Sequence, residues 1–268
     1  MNVFTNENYI KEQFKSARRM QFIGVGALVL AFVISCPLTL GYNVPALVIL
    51  LAYPFLLVGF PLFTLGNNRL RRLRTIPRSD LLLNAELKGL NNKYSLHHYV
   101  PVEGNVVKHL MVAPAGLLVM ESRDATGQVS CESGPKGDRW RVRTGFMDRI
   151  SGNRPPLGNP SRDLEESLAL ARGLLEAIGK PGVAARGVIV FTRQEDLEVE
   201  GCSYPAVPLS ETKAAVRQIL GDLDSGRAAA TGEVASLLTS EDRRRLNALL
   251  APEKPAPPAK AASPARSR

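Results

Sequence analysis

Among the 268 residues of this chain, the side chains best equipped for chemistry are two carboxylates and two cations: Asp80, Glu121, Lys108 and Arg123. An ionised carboxylate offers oxygen to a cation or to hydrogen-bond donors, whereas a protonated lysine has no acceptor lone pair and cannot ligate a metal. Arg123, two residues after Glu121, is a permanently charged planar fork. Each also has an ordinary reading. Asp80 opens a helix-like segment, where the helix dipole favours an acid. Glu121 ends a strand-like run, where solvated acids are common. Lys108 suits an outward strand face if the register slips by one residue. His109 reads as structural, and His97 and His98 as a solvated strand pair without a role. Cys36, Cys131 and Cys202 offer neither a disulfide framework nor metal-ligand spacing, which fits a reducing compartment.

The elements that must position these residues lie between 79 and 251. Segment 80–90 has apolar residues at Leu83, Leu87 and Leu90, the spacing of an amphipathic helix. Strand-like runs follow at 94–102, 106–112 and 117–122, the last two joined by the turn Ala113-Pro114-Ala115-Gly116, and 127–131 and 140–144 extend the sheet. Asn159 is a helix N-cap with Pro160 at the first helical position. Leu164, Leu168, Ala171, Leu175 and Ile178 give that helix one apolar face, stopped by Gly179 and Pro181. A buried strand over 187–192 and helices near 210–223 and 240–250 complete an α/β pattern.

Ahead of this domain, no Asp, Glu, Lys, Arg or His occurs between Arg19 and Arg69, a window of 49 residues. About 20 apolar residues of helix span a bilayer core of about 30 Å, so the window holds two crossings. Residues 20–35 form the first, ended by Pro37; Gly41 and Asn43 form the turn; Pro45 opens a second helix to about 65, kinked at Pro54 and Pro61. A signal peptide would be a single shorter apolar stretch, and a chain of this size has too little other surface to bury such a hairpin in a globular core. The hairpin has no transporter-like polar residue. Lys11, Lys15, Arg18 and Arg19 precede it, Arg69, Arg71, Arg72, Arg74 and Arg78 follow it, and the turn is uncharged. Basic flanks stay inside, so both termini are expected in the cytoplasm, with the hairpin integral to the plasma membrane of a prokaryote and the lipid bilayer as its first partner.

The net charge of +9 is unevenly spread. Residues 1–78 carry +7, the Pro/Ala-rich tail 252–268 carries +3 and reads as disordered, and 79–251 is left at −1. The excess belongs to the membrane flanks, where it can also attract anionic headgroups. It is weak support for a nucleic-acid surface, although Arg139, Arg141, Arg143 and Arg149 could collect into one. The expected organisation is a leader (1–19), a transmembrane hairpin (20–66), a basic linker (67–78), a main domain (79–223), a helical segment (224–251) and the tail.

Residues 79–220 resemble the nuclease-related (NERD) domain of the restriction-endonuclease-like superfamily. The ordered landmarks are His109-Leu110-Met111-Val112, a turn with Gly116, Leu118-Val119-Met120-Glu121-Ser122-Arg123, Gly127, Asn159-Pro160 and Gly187-Val188-Ile189-Val190-Phe191-Thr192. The resemblance implies a mixed sheet flanked by helices. In active members it implies acids that hold Mg²⁺ or Mn²⁺ through oxygen, with a lysine two residues after the last acid. On that pattern Asp80 keeps the first-helix acid in shortened form, Glu121 is retained, Arg123 replaces the lysine, and Asp163 falls near a position usually held by Gln. Lys108 stands where the family has a metal-binding Asp. An ammonium about 4 Å from a divalent ion is repelled by roughly 8 kcal/mol at an effective dielectric near 20, so a Lys108–Glu121 ion pair filling the metal site is the simpler outcome.

The expectation is therefore a membrane-anchored, catalytically degenerate domain without a cofactor that acts by binding nucleic acid, a protein or a membrane-proximal complex. The competing readings are an active metal-dependent nuclease in which Glu103 or Asp124 supplies the missing acid, and a structural module without a ligand. Oligomeric state is not encoded legibly.

Overall fold

The computed structural model describes residues 1–40, 46–74, 78–125, 127–135, 137–143, 157–194, 197–225 and 237–251. The expected turn at Gly41, Asn43 and Pro45, Arg149, and the tail lie outside these residues. The chain is mixed α/β with two helices long and apolar enough to cross a membrane.

The elements run β1 (Asn2–Thr5), α1 (Glu7–Thr39), α2 (Ala46–Arg74), α3 (Ser79–Glu86), β2 (Ser95–Val102), β3 (Asn105–Ala113), β4 (Gly116–Arg123), β5 (Gln128–Gly134), β6 (Gly137–Arg143), α4 (Pro160–Ala177), β7 (Ala185–Phe191), β8 (Leu197–Glu200), β9 (Ala206–Pro208), α5 (Thr212–Asp224) and α6 (Ser240–Leu250). The main sheet has the order β1-β2-β3-β4-β7-β9. Within it β2, β3 and β4 are antiparallel, while β7 joins β4 in parallel after the crossover through α4. Gly116 closes the β3–β4 hairpin at φ 145°, and a Cβ there would lie 2.2 Å from the Ala184 carbonyl oxygen, so only glycine admits this approach.

Alternation along β4 sends Leu117 and Val119 to one face and Leu118 and Met120 to the other. The first face packs under α4 and α6, through Leu164, Leu168, Leu175, Leu246 and Leu250. The second packs under α3 and α5, through Leu83, Leu87, Val216 and Leu220. The apolar spacing of α4 and its Asn159 N-cap, whose side chain accepts from the Arg162 N–H, are as expected. Helix α6 is not a separate appendage of the main domain, because it supplies part of this core.

Three expectations are corrected. Residues 128–134 and 137–143 do not extend the main sheet. With β8 they form a second sheet in the order β6-β5-β8. The parallel pairing of β5 with β8 places Cys131 opposite Val199 and brings Cys202 beside it. The two cysteines are joined by a disulfide across 71 residues, Cα to Cα 6.4 Å, a pairing invisible in linear spacing. His97 and His98 are not solvated, because each is buried between the sheet and its covering elements.

The helical pair also departs from its expected limits. Pro37 lies inside α1, which continues to Thr39, and α2 continues through the basic linker to Arg74. The interface repeats every seven residues: Ala17, Gly24 and Ala31 on α1, and Ala52, Gly59 and Gly66 on α2. A Cβ on Gly24 would stand 2.4 Å from the Phe63 nitrogen, and one on Gly66 2.6 Å from the Gln21 nitrogen. Small residues thus let two backbones touch, the device by which helices associate without a hydrophobic driving force. Phe22, Phe32, Leu57 and Phe60 point outward and are exposed.

Strand β1 ties this pair to the domain, pairing in parallel with β2 from Asn2↔Ser95 to Thr5↔His98. Phe4 stacks on His97, and Tyr9 of α1 stacks on Tyr99. Tyr99 holds φ 58°, an uncommon value for an aromatic residue, and its carbonyl accepts from Asn6 Nδ2 at 3.3 Å. The chain entering α1 and the chain leaving α2 therefore belong to one body.

Candidate functional site

Lys108 on β3, Glu121 and Arg123 on β4 and Asp163 in the first turn of α4 meet on the α4 face of the sheet. Lys108 Nζ donates to Glu121 Oε1 at 2.5 Å, and Arg123 Nη1 approaches the same oxygen at 2.8 Å. Arg123 Nη2 pairs with Asp163 Oδ2. The Glu121 side chain is 3% exposed, Lys108 37% and Asp163 46%, so the cluster runs from a buried acid outward to solvent. Two cations and two anions leave it formally neutral. Burial pushes the Lys108 ammonium below the usual lysine range; Glu121 opposes that shift and Arg123 adds to it. Among the described residues the buried Arg123 Nε has no hydrogen-bond partner.

Both cations meet Glu121 on Oε1. A hard divalent ion takes several oxygen ligands with uncompensated negative charge, and in this cluster the two carboxylates are already matched by two cations. Asp80 does not join it. Arg78 grips Asp80 from two of its nitrogens, Nε to Oδ1 at 3.0 Å and Nη2 to Oδ2 at 2.7 Å, and the carboxylate is buried. Its field is felt by His98 and Tyr99. Of the substitute acids, Asp124 pairs with Arg193 at 3.0 Å, and Glu103 occupies the β2–β3 turn at φ 49°. Arg141 is paired with Glu132 at 3.6 Å.

Immediately through the sheet lies a second polar array. His98 Nε2 lies 2.9 Å from Asn84 Oδ1, His98 Nδ1 lies 2.6 Å from His109 Nδ1, and His109 Nε2 lies 2.8 Å from Ser122 Oγ. Burial drives the His98 imidazole down to about 4 and His109 well below its ordinary value, so both rings are neutral near pH 7. Neutral rings fix one direction of donation. With Asn84 Oδ1 as acceptor, His98 Nε2 carries its proton, His109 Nδ1 donates to His98 Nδ1, and the Ser122 hydroxyl donates to His109 Nε2. All four groups are thereby satisfied inside the core. Sequence reasoning missed this array and the role of Asp163. The only signals were the adjacent histidines and the Asn159-Pro160 helix start, which fixes Asp163 in the first turn.

Cys131, Asp138 and Cys202 also bring ligand-type atoms within 4.8 Å of one another. In the disulfide-bonded form the two sulfurs are bonded to each other, and the carboxylate is already committed. Asp138 accepts from Ser161 Oγ at 2.6 Å, the Ser203 N–H at 3.0 Å and Ser203 Oγ at 3.0 Å. This carboxylate fastens β6 to α4 and to the segment after β8.

Compared with protein-family models, with curated proteins and with solved structures, the chain gives no match.

Proposed function

We propose that this chain is a membrane-anchored NERD-like domain of the restriction-endonuclease-like class, catalytically degenerate and acting as a binding or scaffold module. The single observation that carries this reading is the closure of Glu121 by Lys108 and Arg123, with Asp80 held apart by Arg78. The antiparallel β2-β3-β4 unit, with β7 added in parallel to β4 through α4, supports the fold assignment.

The tightly packed α1–α2 pair serves as a transmembrane hairpin. Because β1 pairs with β2, both ends of the hairpin sit on one side, which requires an even number of crossings. The basic flanks put that side in the cytoplasm. The Cys131–Cys202 disulfide pulls the other way, since disulfides are rare in reducing compartments. Nine cations flanking a 49-residue uncharged window weigh more than one pair, and the cysteines in cells are accordingly expected as a dithiol. Labelling the half-buried Cys202 in intact cells with membrane-permeant and impermeant maleimides tests this. Labelling by the permeant reagent alone supports the orientation, and a blocked or externally reactive Cys202 overturns it.

The full chain in detergent, incubated with Mn²⁺ and single- or double-stranded DNA or RNA, tests the function. Salt-sensitive binding without cleavage is expected. Metal-dependent cleavage abolished by Glu121→Ala would establish an active nuclease, and absence of both binding and cleavage would leave a structural module.

A further inference from the structure

A cavity of about 200 Å³ opens between the start of β2, the N-terminal end of β1 and the first two turns of α6. It lies far from the ionic cluster. Ser95 pairs with Val112, and Val112 with Leu117, so the cavity borders the beginning of β4, while Glu121 and Arg123 sit at its end. Three cations line it, Lys93, Arg243 and Arg244, together with Asn247 and Ser240, and among the described residues no acid does.

None of the three cations takes part in an ion pair among the described residues. The acids of the adjoining turn are engaged elsewhere: Glu241 with Arg245, and Asp242 with Lys180 and the Thr239 cap. That capping box also closes the helix terminus, so the terminus itself is not the attraction. Among the described residues the Arg243 side chain is held by one hydrogen bond, from Nη1 to the Lys93 carbonyl at 2.9 Å, and its Nε has no partner. Asn247 receives Ser95 Oγ at 2.8 Å on its Oδ1, with His97 Nε2 at 2.9 Å from the same oxygen. Its amide NH₂ remains a donor, on a side chain anchored from below.

A cavity ringed by like charges and by donors is electrostatically incomplete. Arginine forks match the oxygens of phosphate, and the volume lies below the roughly 300–1,000 Å³ of sites for drug-sized ligands. We infer that this cavity binds the phosphate group of a small, soluble phosphoanion through Lys93, Arg243, Arg244 and Asn247. A lipid headgroup is disfavoured by position. Strand β1 runs from the cavity at Asn2 to Thr5, and α1 leaves from that opposite end. The inference is independent of the nuclease-like reading, because it shares no residue with the ionic cluster.

The test uses the full chain in phosphatidylcholine nanodiscs. Inorganic phosphate is titrated by thermal shift and by ³¹P NMR, with chloride at matched ionic strength as control. Saturable, phosphate-specific stabilisation is expected, weakened at least tenfold in Lys93→Gln/Arg244→Gln. Among the described residues neither side chain makes a hydrogen bond or ion pair, so this variant should keep the parent melting temperature without phosphate. Nanodiscs containing phosphatidic acid should leave the phosphate response unchanged. Equal effects of chloride and phosphate, or an undiminished response in the double variant, would overturn the site. Competition by the anionic lipid would overturn the soluble ligand.

Discussion

The two faces of the β3–β4 hairpin handle the same problem in opposite ways. Lys108 and His109 are neighbours in β3, as Glu121 and Ser122 are in β4, yet alternation sends one of each pair through the sheet. On the α4 face the buried polar groups are charged and neutralise one another. On the α3 face they are neutral and satisfied by a single line of hydrogen bonds from Ser122 to Asn84. The charged face grades out to solvent at Asp163, whereas the neutral line runs from the buried Ser122 to the half-buried Asn84. The charged face therefore offers the greater access.

The largest break in this contrast should come from removing the shared acid. Glu121→Ala leaves Lys108 unpaired and Arg123 with Asp163 alone; loss of one partner from a buried ion pair costs about 3–5 kcal/mol, reduced here by the partial exposure of Lys108. Urea unfolding of the full chain in detergent measures it, and Lys108→Met, which leaves Glu121 its Arg123 partner, should cost clearly less.

The neutral face should reveal itself through pH. The folded His98 value of about 4 lies below the unfolded value near 6.5, so the unfolded chain takes up protons first as the pH falls. Stability from keeping His98 neutral is fully present above about pH 6.5 and is lost progressively toward pH 4. The loss is about 3 kcal/mol for that ring alone, and His109 acts in the same direction. Unfolding free energies measured between pH 7 and 4.5 should fall along this slope. The double variant His98→Leu/His109→Leu should flatten it.

A smaller effect separates the ends of the neutral chain. Ser122→Ala removes the donor to His109 Nε2 and leaves a buried acceptor unsatisfied, worth about 1–3 kcal/mol. It should leave the charged face and any nucleic-acid binding unchanged, which thermal melts and a binding titration at constant salt would show together. If binding fell with Ser122→Ala, the two faces would not be functionally separate.

Much of this architecture was legible because it is local. The Asn159-Pro160 start, the leucine stripe of α4, the β3–β4 turn at Gly116 and helix α6 each announce themselves within a dozen residues. The uncharged window announces the helical pair equally plainly. What escaped depends on distant partners. Asn2–Thr5 has no strand-like pattern of its own and becomes β1 only by pairing with residues more than 90 positions away. His97 and His98 look solvated until Phe4 and Asn247 cover one and Asn84 the other. Cys131 and Cys202 meet only because β8 joins β5 in a second sheet. At the charged site, Lys108, Glu121 and Arg123 could be grouped from sequence. The separation of Asp80 could not, since it turns on Arg78, which sequence reading assigns to a basic linker.

On the proposed reading, Lys108 and Arg123 occupy the place of a metal. Mn²⁺ binding to the full chain, followed by electron paramagnetic resonance, tests it most directly in the wild type and in Lys108→Asp. The wild type should show no specific Mn²⁺ site at micromolar ion, and Lys108→Asp, which restores an oxygen ligand beside Glu121, a measurable gain. Stoichiometric Mn²⁺ binding by the wild type that disappears in Glu121→Ala would contradict it.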